Sequence, residues 1–415
     1  MVASNELDLE FRALVDFARS SEVPTGFGSM DEGGRVDLER PVELWISARM
    51  THVFALAQMY GIPGTEELVA HGVNSLKNYF HDPVYGGWYS SIMATAAEDG
   101  NGVPVNDRKE AYAQAFVILA AASTLAAGNR DAGPLLEDAL AQQEEHWLDP
   151  ETGLVAESWD RSFTECEDYR GINANMHTVE ALVAAGDVLG DPMLVERATR
   201  ILKFAYDRAG ENSWRIPEHY TADWQVDPDY NVDEPAHPFR PYGVTPGHGL
   251  EFSRLMLATR GSRALRDLPE EEWLLEGAEE LARTAVADGW EVDGEPGFVY
   301  TTTFEGVPVV RARMHWVVCE AIGQATVAAA VAEELGEHAS AQAARQRVDE
   351  WWNYAKPSFI EAPGRWTHEL DPSNQKAGGT WAGKPDVYHA AQMVLLPRLP
   401  VAPAFAAALR DGMIN

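Results

Sequence analysis

Thr245-Pro246-Gly247-His248-Gly249-Leu250-Glu251 is the most specific chemical signal in the chain. Pro246 and Gly247 open a helix, and His248 and Glu251, three residues apart, share a face of its first turn. An imidazole beside a carboxylate at a helix start suits proton transfer near neutral pH. The plainer alternative is a capping histidine beside a solvated glutamate. Gly383-Lys384-Pro385-Asp386-Val387-Tyr388-His389 repeats the arrangement, with proline and an acid opening a helix and a histidine one turn in. In Asn173-Ala174-Asn175-Met176-His177, Asn173 can cap a third helix, and His177 then faces the same way. A fourth start, Arg311-Ala312-Arg313-Met314-His315-Trp316, leads to Glu320, and a fifth, Trp45-Ile46-Ser47-Ala48-Arg49-Met50, places a lone arginine in an apolar helix. A buried guanidinium without an acid is costly. Arg49 is therefore expected either to bind a polar substrate or to pair with an inner acid such as Glu320.

His177, His248, Glu251 and His389 are also residue types that bind zinc or manganese. Their spacing does not require a metal, and neither metal nor cofactor is expected. No glycine-rich nucleotide loop follows a strand, and there is no P-loop and no G-x-S-x-G elbow. Glycoside hydrolysis needs two carboxylates flanking the scissile bond, whereas the strongest candidates here are histidines. Tyr85, Trp88, Trp159, Trp316 and Trp381 suit the apolar faces of sugar rings, although aromatic residues are equally at home in a core.

Apolar residues recur at helical spacing in twelve segments, at about 5–20, 40–60, 65–81, 108–127, 131–147, 173–189, 191–209, 247–260, 270–288, 313–335, 338–357 and 385–396. The links Gly61-Ile62-Pro63-Gly64, Leu189-Gly190-Asp191-Pro192 and Leu335-Gly336-Glu337 are tight turns between helices. The opposite links, roughly 82–107, 148–172, 210–246, 289–312 and 358–384, are long, which in a compact protein signals a functional face. Several contain a turn followed by a short, mostly aromatic strand, as in Asp82-Pro83-Val84-Tyr85-Gly86-Gly87-Trp88-Tyr89 and Gly297-Phe298-Val299-Tyr300. This self-similar unit predicts an all-α, (α/α)6 barrel: six helical hairpins closed into a ring, with short β-hairpins in the long loops of one face. The even-numbered helices would form the inner ring, their N-termini opening toward those loops. No linker divides the chain, so residues 1–415 are expected to form one catalytic domain.

With 32 Lys and Arg against 65 Asp and Glu, the formal net charge is −33, which disfavours nucleic acid and anionic membrane partners. Cys166 and Cys319 lack the spacing of a disulfide framework or zinc cluster and are expected to be structural. Residues 1–10 are acidic and do not read as a leader, and the apolar run 115–127 is too short to span a bilayer. A cytoplasmic location is expected. The sequence does not determine the oligomeric state.

Ala48-Arg49-Met50-Thr51-His52-Val53, Tyr85-Gly86-Gly87-Trp88-Tyr89, Ala174-Asn175-Met176-His177, Tyr242-Gly243-Val244-Thr245-Pro246-Gly247-His248 with Glu251, and Gly383-Lys384 with Asp386, Tyr388 and His389 occur in this order. Together they resemble the N-acylglucosamine 2-epimerase superfamily over about residues 20–405, in particular its branch of mannose and sulfoquinovose isomerases. The resemblance implies the same barrel and a metal-independent aldose–ketose interconversion of a monosaccharide. His248 and His389 would be the acid/base residues, and Arg49, Tyr112, Asn173, His177, Arg240, Glu251, Trp316 and Glu320 would line the sugar pocket. Sulfoquinovose isomerases tend to have Gln where this chain has His368 and Pro385, which favours an unsubstituted sugar. The expected reaction is D-mannose to D-fructose, with D-lyxose to D-xylulose beside it, through a cis-enediolate. His389 would move the C1/C2 proton, and His248, oriented by Glu251, would open the ring; these two roles are interchangeable at this stage. Sulfoquinovose isomerisation, sugar 2-epimerisation and non-catalytic carbohydrate binding are the alternatives.

Overall fold

The computed structural model describes residues 4–414. The first three residues of the acidic N-terminal stretch and the final residue lie outside the described residues. In chain order the helices are α1 (Ser4–Ala18), α2 (Leu44–Met59), α3 (Glu66–Asn74), α4 (Ala111–Ala126), α5 (Ala132–Gln142), α6 (Ile172–Leu189), α7 (Pro192–Glu211), α8 (Pro246–Ala264), α9 (Glu272–Gly289), α10 (His315–Glu334), α11 (His338–Phe359), α12 (Tyr388–Leu395) and α13 (Phe405–Arg410).

The even-numbered helices α2 to α12 pack side by side in order, and α12 returns to α2 to close the ring. Their composition explains the position: α4 reads AYAQAFVILAAASTLA and is buried on nearly every face, as expected for a helix packed all round. α3, α5, α7, α9 and α11 each back the inner helix that precedes them, and α1 backs α12. The outer helices are amphipathic. In α7, for example, Leu194, Val195, Ala198, Ile201, Leu202 and Ala205 form the buried stripe. α10 is apolar and long enough to cross a bilayer, but 78% of its apolar window is buried in the barrel.

The strand just before an inner helix pairs antiparallel with the strand after the next outer helix. Val42 faces Ile92, Lys109 faces Trp159, Arg170 faces Tyr220 and Arg313 faces Leu370. Val244 bridges Thr302 in the same way, and the N–H of Lys384 donates to the Met30 carbonyl to complete the circuit. These seams fix the level at which each inner helix begins.

Three local expectations are corrected. α12 begins at Tyr388, not at 385, because the Asp386 carboxylate accepts the Tyr388 N–H (2.9 Å) and acts as a cap before the helix. α6 starts at Ile172 after Gly171, so Asn173 is not its cap; Asn175 instead bonds the Gly171 carbonyl and the Val155 backbone. α13, past the last expected helix, supplies Ala406, Ala407, Ala408 and Leu409 to the closed end of the ring.

Candidate active site

Where the inner helices open toward the long loops, Arg49, Tyr112, Asn173, His177, His248, Glu251, Trp316 and His389 line one cavity. They arrive from α2, α4, α6, α8, α10 and α12, so every inner helix contributes. Trp45, Phe239, Tyr300, His315, His368, Trp381 and Asp386 complete the wall. Of the aromatic residues singled out for sugar contact, Trp316 and Trp381 are in the cavity. Trp88 is core, its indole N–H held by the Leu76 carbonyl, Tyr85 lies on the surface, and Trp159 packs beside Trp147 and Phe163.

His248 and His389 both pack against one indole, their ring centroids 5.3 and 5.8 Å from that of Trp316. The two imidazoles have the same construction. His389 Nδ1 lies 2.9 Å from Glu320 Oε1, and His248 Nδ1 lies 2.8 and 3.0 Å from the two oxygens of Glu218. A carboxylate only accepts, so each Nδ1 carries a proton and points it at its acid, which leaves each Nε2 as the ring nitrogen not held by a carboxylate. Burial pushes the His389 imidazole below its ordinary range against the opposing pull of Glu320, so the ring is neutral at neutral pH.

The orienting partner of His248 is therefore Glu218, not Glu251. Glu218 lies on the stretch leading into the His219–Tyr220 strand, and its Oε1 also accepts the Thr245 N–H at 3.1 Å. One carboxylate thus satisfies an N-terminal donor of α8 and holds the imidazole one turn in. The sequence places Glu218 in a long acidic loop. The available signal was the repeat: Glu218 meets the start of α6 as His368 meets that of α10, each carbonyl accepting the first helical N–H.

Arg49 pairs with Asp386 (3.2 Å) and donates to the Tyr112 hydroxyl (2.9 Å), its guanidinium packed 4.3 and 4.5 Å from the Phe116 and Tyr388 rings. Glu320, the acid weighed for Arg49 from sequence, instead receives Arg254 Nε (2.8 Å) and His389, so it supports the cavity from beneath rather than lining it. Arg240 also departs from expectation. It forms a two-bond pair with Glu167 (2.7 and 3.0 Å), sits 4.0 Å over the Tyr169 ring, and faces a second, outer cavity beyond Phe239. Cys166 lines that outer cavity, and Cys319 is buried; both are free thiols.

Below the cavity lies a buried polar floor. Glu180 accepts the Tyr388 hydroxyl, Gln392 Nε2 (2.9 Å) and His177 Nδ1 (3.4 Å). Burial drives His177 down to about 4, against the pull of Glu180. His315 stacks on His368 at 3.8 Å, and burial pushes both below the ordinary imidazole range, His368 to about 3. Two sets of potential ligand atoms lie within 4.8 Å of one another, His177–Glu180–Glu251 and Glu251–Glu320–His389. In both, the histidine Nδ1 is committed to a carboxylate and Arg254 lies beside the acids, which makes the donor set an ion-paired network. Two carboxylate-held imidazoles packed against one indole, above such a floor, can exchange protons with a polyhydroxylated ligand.

Comparison with known proteins agrees with the fold. The model of the N-acylglucosamine 2-epimerase (GlcNAc 2-epimerase) family matches residues 26–393. A D-mannose isomerase of Thermobifida fusca is 47% identical over 407 residues, 97% of this chain and 96% of the relative. A D-mannose isomerase of Pseudomonas cannabina pv. alisalensis is 40% identical over 409 residues, covering 97% and 94%. A crystal structure of D-mannose isomerase superposes with a TM-score of 0.83 at 25% identity, covering 94% of this chain and 97% of that one. The (α/α)6 ring, the proton-handling cavity inside it and a family match that spans both make this chain a member of the N-acylglucosamine 2-epimerase family of sugar-isomerising enzymes.

Proposed function

We propose that the protein interconverts D-mannose and D-fructose, and D-lyxose and D-xylulose beside them, by metal-independent proton transfer. The observation that carries the reading is the pair of carboxylate-backed imidazoles that both pack against Trp316 in a single cavity. One neutral imidazole takes the anomeric O1 proton while the ring oxygen is protonated, opening the hexose to its aldehyde. The other then removes the C2 proton, electrons move into a C1–C2 double bond, and the C1 oxygen carries the resulting charge. Returning the proton to C1, with transfer of the O2 proton to O1, gives the ketose. His389 is assigned to carbon and His248 to the ring and hydroxyl oxygens. The N-termini of the inner helices favour the developing oxyanion.

A neutral sugar fits better than a sulfonated one, because the guanidinium on the cavity wall, Arg49, is already paired with Asp386. The names of the relatives support the same substrate. Purified protein given mannose, with products followed by NMR, tests the proposal: fructose is the expected product. Glucose in its place would make the protein a 2-epimerase, and binding without turnover would make it a lectin-like protein. Activity is expected to persist in EDTA; loss that manganese or zinc restores would replace proton transfer with a metal-assisted hydride shift.

A further inference from the structure

His52 lies three residues past Arg49 on the same face of α2, in the run that carries the family resemblance, yet it takes no part in the site as described. It is 1% exposed and does not line the catalytic cavity. With Ser123, Glu180 and Arg254 it faces a third cavity, on the closed side of the polar floor. His52 therefore cannot touch the sugar, and any effect it has on the reaction must pass through what it holds.

Glu180 settles the hydrogen bonding of this region. Its carboxyl stays below the ordinary range because burial is outweighed by His177, Arg254 and Tyr388, so it is ionised and only accepts. The Gln392 atom 2.9 Å from Glu180 Oε1 is thus the amide nitrogen, and its second hydrogen points at His52 Nε2, 3.3 Å away. His52 must leave Nε2 bare and carry its proton on Nδ1, which meets Ser123 Oγ at 2.7 Å. Ser123 accepts there and gives its own hydrogen to the Leu119 carbonyl at 2.8 Å. Side chains of α4, α2, α12 and α6 are joined in one chain, with the donor of each bond fixed.

The element this chain secures is α12, at eight residues the shortest of the inner helices and the one that carries His389. Gln392 stands three residues beyond His389, and Tyr388, one residue before it, gives its hydroxyl to the same Glu180. Two side chains four apart on α12 are tied to one acid of α6, and His52 adds a tie from α2 on the other side of the Gln392 amide. We infer that His52 is a positioning residue for the reaction: as a neutral imidazole protonated on Nδ1 it accepts the Gln392 amide on Nε2, fixes the rotation of α12 about its axis and so aims His389 at the sugar carbon. Burial, against the pull of Glu180, drives the His52 imidazole down to about 4, so this acceptor persists at neutral pH. The inference rests on the isomerase reading and adds a residue remote from the cavity to its machinery.

Nitrogen NMR of ring-labelled histidine and kinetics of variants test this. With the His52 signals assigned by their loss in His52→Gln, the wild type is expected to show a protonated Nδ1 and a bare Nε2 at neutral pH; the opposite tautomer overturns the inference. A glutamine amide reaches about as far as Nε2, whereas an asparagine amide reaches only as far as Nδ1. His52→Gln, which can still accept from Gln392, is therefore expected to keep kcat within about threefold of wild type. His52→Asn, which can meet only Ser123, is expected to lose at least about tenfold in kcat with KM little changed, since a misaimed base spares binding. Gln392→Leu should lose as much, and adding His52→Asn to it should cost nothing further. Equal losses in the two His52 variants, wild-type kcat in His52→Asn or Gln392→Leu, a loss confined to KM, or additive losses in the double variant would each overturn the inference. The tautomer and Gln392→Leu remain readable even where His52→Asn does not fold. A wild type that makes no ketose would remove the isomerase reading, while the NMR spectrum would still report the tautomer.

Discussion

His389 acts as a base only while its ring is neutral, and burial keeps it so by disfavouring the imidazolium, with Glu320 pulling the other way. Because the pKa lies below the usual value of about 6.5, the active form persists into mild acid and is lost as pH falls through the depressed value. The acid limb of kcat/KM for the wild type should therefore have an apparent pKa below 6.5. In Glu320→Gln, which removes the group that raises the pKa, the limb should shift further toward acid; an upward shift would show that Glu320 does not act on His389. At this scale the sequence announced the imidazoles through Pro-Gly and Pro-Asp helix starts, but not their partners. Glu218 is thirty residues from His248 and Glu320 sixty-nine from His389, so helical spacing carries no information about either pair. The mispairing of His248 with Glu251 arose because residues three apart share a helix face, while the ring in fact turns toward a strand from the neighbouring unit.

An inner helix places its side chains through its first turn, and α8 is held there by close packing as well as by Glu218. Gly247 lets the turn approach α10: a Cβ at that position would stand 2.5 Å from Trp316 Cη2 and 2.8 Å from Val317 Cγ2. Gly247→Ala must displace either the indole that both histidines pack against or the turn that carries His248. We expect kcat/KM to fall at least about tenfold with helix content unchanged by circular dichroism, since a small misplacement of reacting groups is expensive. Wild-type kinetics in this variant would show the contact to be relaxed at no functional cost. The twelve-helix pattern was legible because apolar periodicity and Pro or Gly stops are local. Less legible were the wider, π-type turns that end the third and fifth segments over Ser75–Phe80 and Gln143–Trp147, the capping of α12 by Asp386, and α13, whose six residues are too few for a periodic signal.

Closing the ring requires the two ends of the chain to meet, since the hairpin formed by α1 and α12 has no connecting loop. Phe11, Leu14 and Val15 of α1 are fully buried, and Glu10 accepts the Gly364 N–H and the Trp366 indole N–H, both at 2.9 Å. Gly364 adopts φ +73 where a Cβ would lie 2.1 Å from the Ala13 carbonyl oxygen, so the β-turn after α11 seats directly on α1. Phe11→Ala should cost about 3–5 kcal/mol of stability, read as a lower midpoint in denaturant unfolding; a midpoint equal to wild type would mean that α1 is not needed to close the barrel. Sequence alone determined the class of fold, because a repeated pattern of amphipathic and fully apolar helices with alternating loop lengths leaves few ways to bury its faces. It also determined that histidines at the inner-helix starts face one cavity. Only the tertiary structure decided which acid serves which base, where Arg49 and Arg240 spend their charge, and that Glu251 lies toward Arg254 and His177 while Glu218 holds His248. Those outcomes depend on contacts between strands and helices far apart in sequence, and on burial, which changes the protonation of a group without changing its type.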